Sequence, residues 1–294
     1  MKRIDSDFIS RGKRCAAWLF LPDKGDNFPL VIMAHGLGAE RTFRLPAFAE
    51  RFTGEGLVVL LFDYRNFGDS EGEPRNLISP GRHVQDWMAA IKHARTLPQI
   101  NPLKIALWGT SFSGGHVLVA AAKDRTISAV VSQVPFVDGF STLFMFNLGF
   151  ILTGLIHGLR DLWRIITFRT PHYVPVVAKP GEFALMNTPD ALPGVMAILP
   201  KDAKWNNRAP ARIMLTLPLY RPTAYAPRIA CPVLMVSAIK DSLISQASVD
   251  KTATRIKDVK LQRLEAGHFD VYVGDTFNQV VGLEADFLRR KLLK

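Results

Sequence analysis

Short apolar runs alternate along this chain with longer segments whose apolar positions recur every three or four residues. Cys15–Leu21 opens the series. Leu30–Ala34 (LVIMA), Leu57–Asp63 (LVVLLFD), Lys104–Trp108 (KIALW), Ile127–Ser132 (ISAVVS) and Val233–Ser237 (VLMVS) follow, and Val259–Leu264 closes it. The middle runs lack polar alternation, as parallel strands buried on both faces do. Between the runs, Pro46–Phe52, Gly81–Leu97, Gly114–Ala122, Gln246–Ile256 and Asp275–Leu292 read as helices; in the second, Val84, Trp87, Met88, Ile91 and Ala94 share one face. Strand followed by helix, repeated, predicts an α/β fold: a mainly parallel sheet with helices on both faces.

The alternation stops between about Pro135 and Ala226 and resumes at Cys231. The simplest account is a discontinuous core, 1–135 and 226–294, carrying a mostly helical, Pro-rich cap over 136–225. Gly139–Leu159 is 21 residues without a charge, and a membrane span needs about 20 apolar residues. Here Asn147, Gly149, Thr153, Gly154, His157 and Gly158 interrupt the stretch, and Gly149, Thr153, His157, Arg160 and Arg164 form a small or polar stripe at helical spacing. A buried or lid helix is therefore expected, with an interfacial helix as the alternative. Nine of the nineteen prolines follow between Pro171 and Pro222, which argues against regular strands there.

Composition adds little to this picture. Hydrophobic residues at 48% and charged residues at 21% are ordinary for a globular chain. The formal charge of +11 concentrates at Arg160–Arg169, Lys201–Arg212 and the tail from Arg289. None of these clusters is interleaved with aromatics in a known nucleic-acid pattern, so no nucleic-acid partner is expected. They read as solvated surface, with attraction to an anionic membrane surface or an acidic substrate as the functional alternative. The sequence is compatible with a homo-oligomer. Two cysteines, Cys15 and Cys231, each in an apolar run, make a disulfide framework unexpected. No apolar segment follows Met1–Asp5, so no signal peptide is read and a cytoplasmic location is expected.

Candidate chemistry gathers at strand ends. Trp108-Gly109-Thr110-Ser111-Phe112-Ser113-Gly114-Gly115 lies between an apolar strand and a helical run. A nucleophile on so sharp a turn needs small residues two positions either side. Ser111 satisfies this with Gly109 and Ser113, and Ser113 satisfies it with Ser111 and Gly115. Ser111 is preferred, because Ser113 falls in the first helical turn. Met33-Ala34-His35-Gly36-Leu37-Gly38 ends an earlier strand; such a loop supplies one backbone N–H of an oxyanion hole, the residue after the nucleophile the other. The donors expected here are Leu37 and Phe112. Asp241, after Val233–Ser237, is the candidate acid, preferred over Asp138, which opens the insertion. Of seven histidines, only His268 combines a loop after the last strand with the right chain order; His83 and His93 read as residues of a helix with exposed neighbours.

The order Ser111, Asp241, His268 resembles that of the α/β-hydrolase superfamily. Asp63-Tyr64-Arg65-Asn66-Phe67-Gly68-Asp69-Ser70-Glu71-Gly72 is similar to that family's Asp-x-Arg-Gly-x-Gly-x-Ser segment, with Asn66 in place of the first glycine. Gly-Thr-Ser-Phe-Ser-Gly-Gly and Gly-His-Phe-Asp-Val-Tyr resemble dienelactone-hydrolase-like and Xaa-Pro-peptidase-like members, a look shared by some fungal polyketide acyltransferases. The resemblance implies the fold and a serine-hydrolase triad of Ser111, Asp241 and His268. The sequence has no His-Glu-x-x-His, no Cys-x-x-Cys pair and no P-loop-type glycine-rich loop, so no metal and no cofactor are expected. A carboxylic-ester hydrolase acting on a small-molecule ester with apolar acyl or alkyl groups is expected, and Phe140, Phe144 and Leu148 of the apolar helix are the expected substrate contacts. An acyltransferase or Xaa-Pro-type peptidase on the same triad, and a non-catalytic binding protein on this fold, are the alternatives.

Overall fold

A computed structural model describes residues 1–293. In chain order the strands are β1 Lys2–Asp5, β2 Phe8–Ser10, β3 Lys13–Cys15, β4 Ala17–Leu21, β5 Phe28–Ala34, β6 Val58–Phe62, β7 Ile100–Thr110, β8 Ala129–Gln133, β9 Tyr173–Val174, β10 Ala209–Pro210, β11 Val233–Ala238 and β12 Val259–Leu264. The helices are α1 Leu45–Gly54, α2 Pro80–Ala94, α3 Phe112–Lys123, α4 Gly139–Thr142, α5 Leu148–Ile166, α6 Ala191–Ile198, α7 Ile213–Thr216, α8 Gln246–Ala253 and α9 Gly274–Leu292.

Eight strands form one sheet in the order β1-β4-β6-β5-β7-β8-β11-β12. From β6 to β12 all neighbours are parallel; β4 pairs antiparallel to β6, and β1 antiparallel to β4. Every residue of β6, β8 and β11 is buried, which explains why those strands read as unbroken apolar runs. After β5 the chain crosses to β6 on one side, then returns to β7 on the other. The carboxyl ends of β5 and β7 therefore flank the point where strand order reverses, the usual ligand crevice of an open parallel sheet.

The chain leaves the sheet after β8 and rejoins it at the adjacent β11. The intervening insertion holds α4 to α7 and only the two-residue strands β9 and β10, consistent with its prolines. The single helix expected within Gly139–Leu159 is instead broken. α4 runs into a 3₁₀ turn at Leu143–Met145, and α5 starts afresh at Leu148, where Asn147 Oδ1 accepts the Phe150 N–H at 2.8 Å. No helix among the described residues is long and apolar enough to cross a membrane.

α5 is amphipathic in reverse. Its buried residues are Gly154, Gly158 and Asp161, whereas Leu152, Leu155, Ile156, Leu159, Trp163 and Ile166 are exposed. A Cβ on Gly154 would sit 2.5 Å from the Met214 methyl, and one on Gly158 2.7 Å from Leu215, so the small residues set how closely α5 lies on α7. The carboxylate of Asp161 accepts from the His172 N–H, the Arg212 N–H and the Arg212 side chain (2.6–3.2 Å). That buried ion pair fixes α5 to the rest of the insertion.

Candidate active site

β7 delivers Ser111 at the turn into α3. The Ser111 backbone has φ 55° and ψ −119°, a left-handed conformation that non-glycine residues adopt only under constraint. Two ties hold it: its N–H donates to the Gln133 carbonyl, and its carbonyl accepts from the Phe136 N–H (2.8 and 2.9 Å). A Cβ on Gly109 would lie 2.3 Å from the Ser113 carbonyl oxygen, so the turn tolerates no side chain there.

The two serines have separate environments. Ser111 Oγ lies 3.0 Å from His268 Nε2. Ser113 is fully buried and its Oγ shares a 2.7 Å hydrogen bond with Tyr64 OH, which accepts from Trp87 Nε1 at 2.9 Å. Only Ser111 therefore meets an imidazole.

His268 follows β12, and its Nδ1–H donates to Asp241 Oδ2 at 2.7 Å. Asp241 follows β11. Its other oxygen accepts the N–H groups of Leu243 and Ile244 at 2.8 and 2.9 Å, which fixes the carboxylate in one orientation. Both side chains are buried. Three residues from separate loops thus form one hydrogen-bonded chain, carboxylate to imidazole to hydroxyl. Asp138, the competing acid, caps α4 and pairs with Arg221 at 3.0 Å.

The loop after β5 closes on the same hydroxyl. A Cβ on Gly36 would come within 3.1 Å of Ser111 Cβ and 3.5 Å of Ser111 Oγ, so any side chain there would press on the serine. Phe112 opens α3, where first-turn N–H groups have no intrahelical acceptor. Leu37 and Phe112 both border the space at Ser111. The His35 ring is buried, and its Nδ1–H donates to the Gly36 carbonyl at 3.0 Å; burial pushes its pKa down. Asp63, from the segment after β6, is buried too. It accepts from the Arg41 N–H and guanidinium at 2.6 and 2.8 Å, so this segment braces the wall of the site.

Two cavities meet at Ser111. One, about 40 Å³, lies towards Phe43, Val176, Trp205 and Tyr272. The other, about 70 Å³, is walled by Phe112, Phe136, Phe146, Phe150, Met186 and Met214. Both walls are predominantly apolar. Phe140, Phe144 and Leu148 line neither; they are 51, 79 and 70% exposed. The break at Phe146–Asn147 is the reason: restarting the helix changes which residues face inward, and Phe146 and Phe150 take that place.

A second correction concerns His83. It is buried, stacked on Tyr64 at 4.1 Å, and within hydrogen-bond reach of His116 (3.2 Å), whose Nδ1 lies 2.6 Å from Tyr220 OH in the insertion. Burial drives both imidazoles towards the neutral form, His116 to a pKa of about 3. This layer behind α3 gave no motif; its signal was only that His83 lies one residue from Val84 on the apolar face of α2.

Known proteins match the chain over nearly its full length. Quorum-quenching protein AidA of Acinetobacter baumannii is 42% identical over 98% of this chain and 94% of its own. Polyketide transferase ATR5 of Stachybotrys chlorohalonatus is 25% identical over 99% and 98%. Among solved structures, the alpha/beta hydrolase GrgF from Penicillium sp. superposes with a TM-score of 0.86 at 25% identity, covering both chains completely. The family model for serine aminopeptidase, S33 (Hydrolase_4) matches residues 25–270. With a mainly parallel sheet and full-length relatives of this kind, the chain is a member of that α/β-hydrolase family.

Proposed function

We propose that the protein is a serine esterase that cleaves carboxylic esters with apolar acyl groups through an acyl-enzyme. The observation that carries this is the unbroken hydrogen-bonded chain Asp241–His268–Ser111 ending in an apolar cavity. His268 Nε2 takes the hydroxyl proton as Ser111 Oγ attacks the ester carbonyl. Asp241 keeps the imidazole in the tautomer with its proton on Nδ1 and stabilises the imidazolium that forms. The N–H groups of Leu37 and Phe112 receive the oxyanion; one such donor is worth about 2.7–4 kcal/mol in the transition state. Collapse expels the alcohol, which carries the proton from His268 and leaves the acyl group on Ser111. Water then adds, surrendering a proton to His268, which returns it to Ser111 Oγ as the acyl–Oγ bond breaks and the carboxylic acid leaves.

In this reading the insertion is a cap, and Phe146, Phe150 and Met214 receive the acyl group in place of Phe140, Phe144 and Leu148. Among the described residues no acidic side chain lines either cavity, so a substrate with a free amino terminus finds no partner beside Ser111. That favours an ester over a peptide. Acyl transfer is the second reading. It is favoured by the apolar walls, which hold little water next to an acyl-Ser111, and by the full-length relative named as a polyketide transferase.

A fluorophosphonate probe and p-nitrophenyl esters test the proposal. Labelling and hydrolysis should vanish in Ser111→Ala and persist in folded Ser113→Ala. Labelling that survives Ser111→Ala, or wild-type protein inert to probe and esters alike, overturns it. Adding a primary alcohol and measuring ester formed against acid released separates transfer from hydrolysis.

A further inference from the structure

A third apolar cavity, about 250 Å³, lies in the insertion beyond the one that holds Ser111. Its walls include Leu143, Ile151, Leu155, Leu215 and Pro218. Thr142, Phe146, Phe150, Met214 and Leu217 line both this outer cavity and the inner one. The partition between them is therefore one side chain thick. Phe146 and Phe150 stack within it at 4.4 Å, and Met214 is the unbranched, flexible member. No charged side chain lines the outer cavity. Leu155, on its wall, is also part of the exposed apolar face of α5, so the cavity reaches the surface among apolar groups.

We infer that the outer cavity is a second acyl site, which takes the distal methylenes of a straight-chain acyl group once Phe146, Phe150 and Met214 yield. The inference rests on the esterase reading and names its substrate class: medium- to long-chain acyl esters rather than short ones. Three features fix the occupant. The outer cavity abuts the one walled by Phe112 and Phe136 at Ser111, across side chains common to both. It is more than three times the volume of the inner one. Its lining is apolar except for Thr142, whose hydroxyl already donates to the Asp138 carbonyl at 3.0 Å. Each methylene moved from water into such a site raises kcat/KM by about fourfold, provided it is bound in the transition state.

The experiment compares p-nitrophenyl butyrate with p-nitrophenyl decanoate in wild type and in Ile151→Trp and Leu155→Trp, which fill the outer cavity from α5 without touching the inner one. Wild type should prefer decanoate by at least a hundredfold in kcat/KM. In both variants decanoate should fall to within a fewfold of butyrate, with butyrate changed less than twofold. A wild-type preference for butyrate, or a decanoate preference that survives both tryptophans, overturns the inference. Calorimetric binding of 1-hexanol and 1-decanol to Ser111→Ala keeps it apart from the esterase reading, because no chemistry is needed. Tighter binding of decanol, abolished by either tryptophan, supports the second site even if no ester is cleaved. Equal binding of the two alcohols refutes it even if esters are cleaved, and also where the tryptophan variants fail to fold.

Discussion

Replacing Asp241 by asparagine changes one atom, and the surroundings dictate how it sits. Asp241 Oδ1 accepts two backbone N–H groups, from Leu243 and Ile244. The asparagine carbonyl must take that position, since an NH₂ there would face two donors. The NH₂ is then turned towards His268 Nδ1, which lies 2.7 Å from the carboxylate in the native protein. A donor at that distance forces Nδ1 to accept, so the ring proton moves to Nε2, the nitrogen 3.0 Å from Ser111 Oγ. The imidazole keeps its place and loses its function, because a protonated Nε2 cannot take the serine proton. The equivalent exchange in a serine-protease triad costs about 10⁴ in kcat, roughly 5.5 kcal/mol of barrier. The expected result for Asp241→Asn is a drop of about 10³–10⁴ in kcat for p-nitrophenyl ester hydrolysis, with KM within a fewfold of wild type. The fluorophosphonate labelling rate should fall in parallel, and Tm should move by no more than a few degrees. A folded Asp241→Asn that retains more than a tenth of wild-type kcat would show that Asp241 does not set the tautomer.

Gly36→Val should abolish turnover while leaving the protein folded, because its Cβ would press on Ser111 Cβ and Oγ; a kcat loss below about 10² with unchanged Tm would contradict the close approach. Glu284, fully buried with Trp108 Nε1 donating to it at 2.8 Å, has its pKa pushed up to about 8 by burial. With the folded pKa raised above the unfolded one, its contribution is intact below pH 4.5 and is lost at about 1.4 kcal/mol per pH unit up to about pH 8. Glu284→Gln should therefore raise Tm at pH 8 and lose that advantage by pH 5, as read by scanning calorimetry. His116 is shifted the other way by burial, from 6.5 to about 3. Stability should fall as the pH drops below 6.5, by up to about 1.4 kcal/mol per unit from this group. Urea midpoints from pH 7 to 4.5 should show a shallower decline in His116→Gln.

What the chain pattern revealed was what burial on both faces makes local. β5, β6, β8 and β11 are apolar because each is covered above and below, so a short window contains the information. β1 is the opposite case. Lys2–Asp5 is mainly exposed, and its only claim to being a strand is its antiparallel pairing with β4, which no local pattern encodes. The meeting of Ser111, Asp241 and His268 was legible because each follows a strand of one sheet, and strand ends of a parallel sheet converge. The inward face of the insertion was not. Phe140, Phe144, Phe146 and Phe150 are equally apolar in sequence, and Asn147, read as an interruption, turned out to be the helix cap that decides between them. His83 was misjudged for a related reason: its partners Tyr64, His116 and Phe67 come from elsewhere in the chain.

The insertion touches each loop that bears a proposed catalytic group, and does so at the residue next to it or close by. Trp205 Nε1 donates to the Gly38 carbonyl at 2.8 Å, one residue from Leu37. Tyr220 OH bonds His116 on α3, the helix that begins at Phe112. Ser242, the neighbour of Asp241, donates to Asp190 at 2.6 Å. Phe269, the neighbour of His268, packs so tightly on α6 that a Cβ on Gly194 would lie 2.2 Å from its ring. These four ties come from three parts of the insertion, at Asp190–Gly194, Trp205 and Tyr220, so it cannot move as one body without pulling on all of them. Admission of a long substrate is therefore expected to proceed by local yielding of Phe146, Phe150 and Met214, none of which takes part in those four ties. On the proposed reading, an insertion fastened in this way would filter chain length without disturbing the 3.0 Å contact through which His268 would take the Ser111 proton.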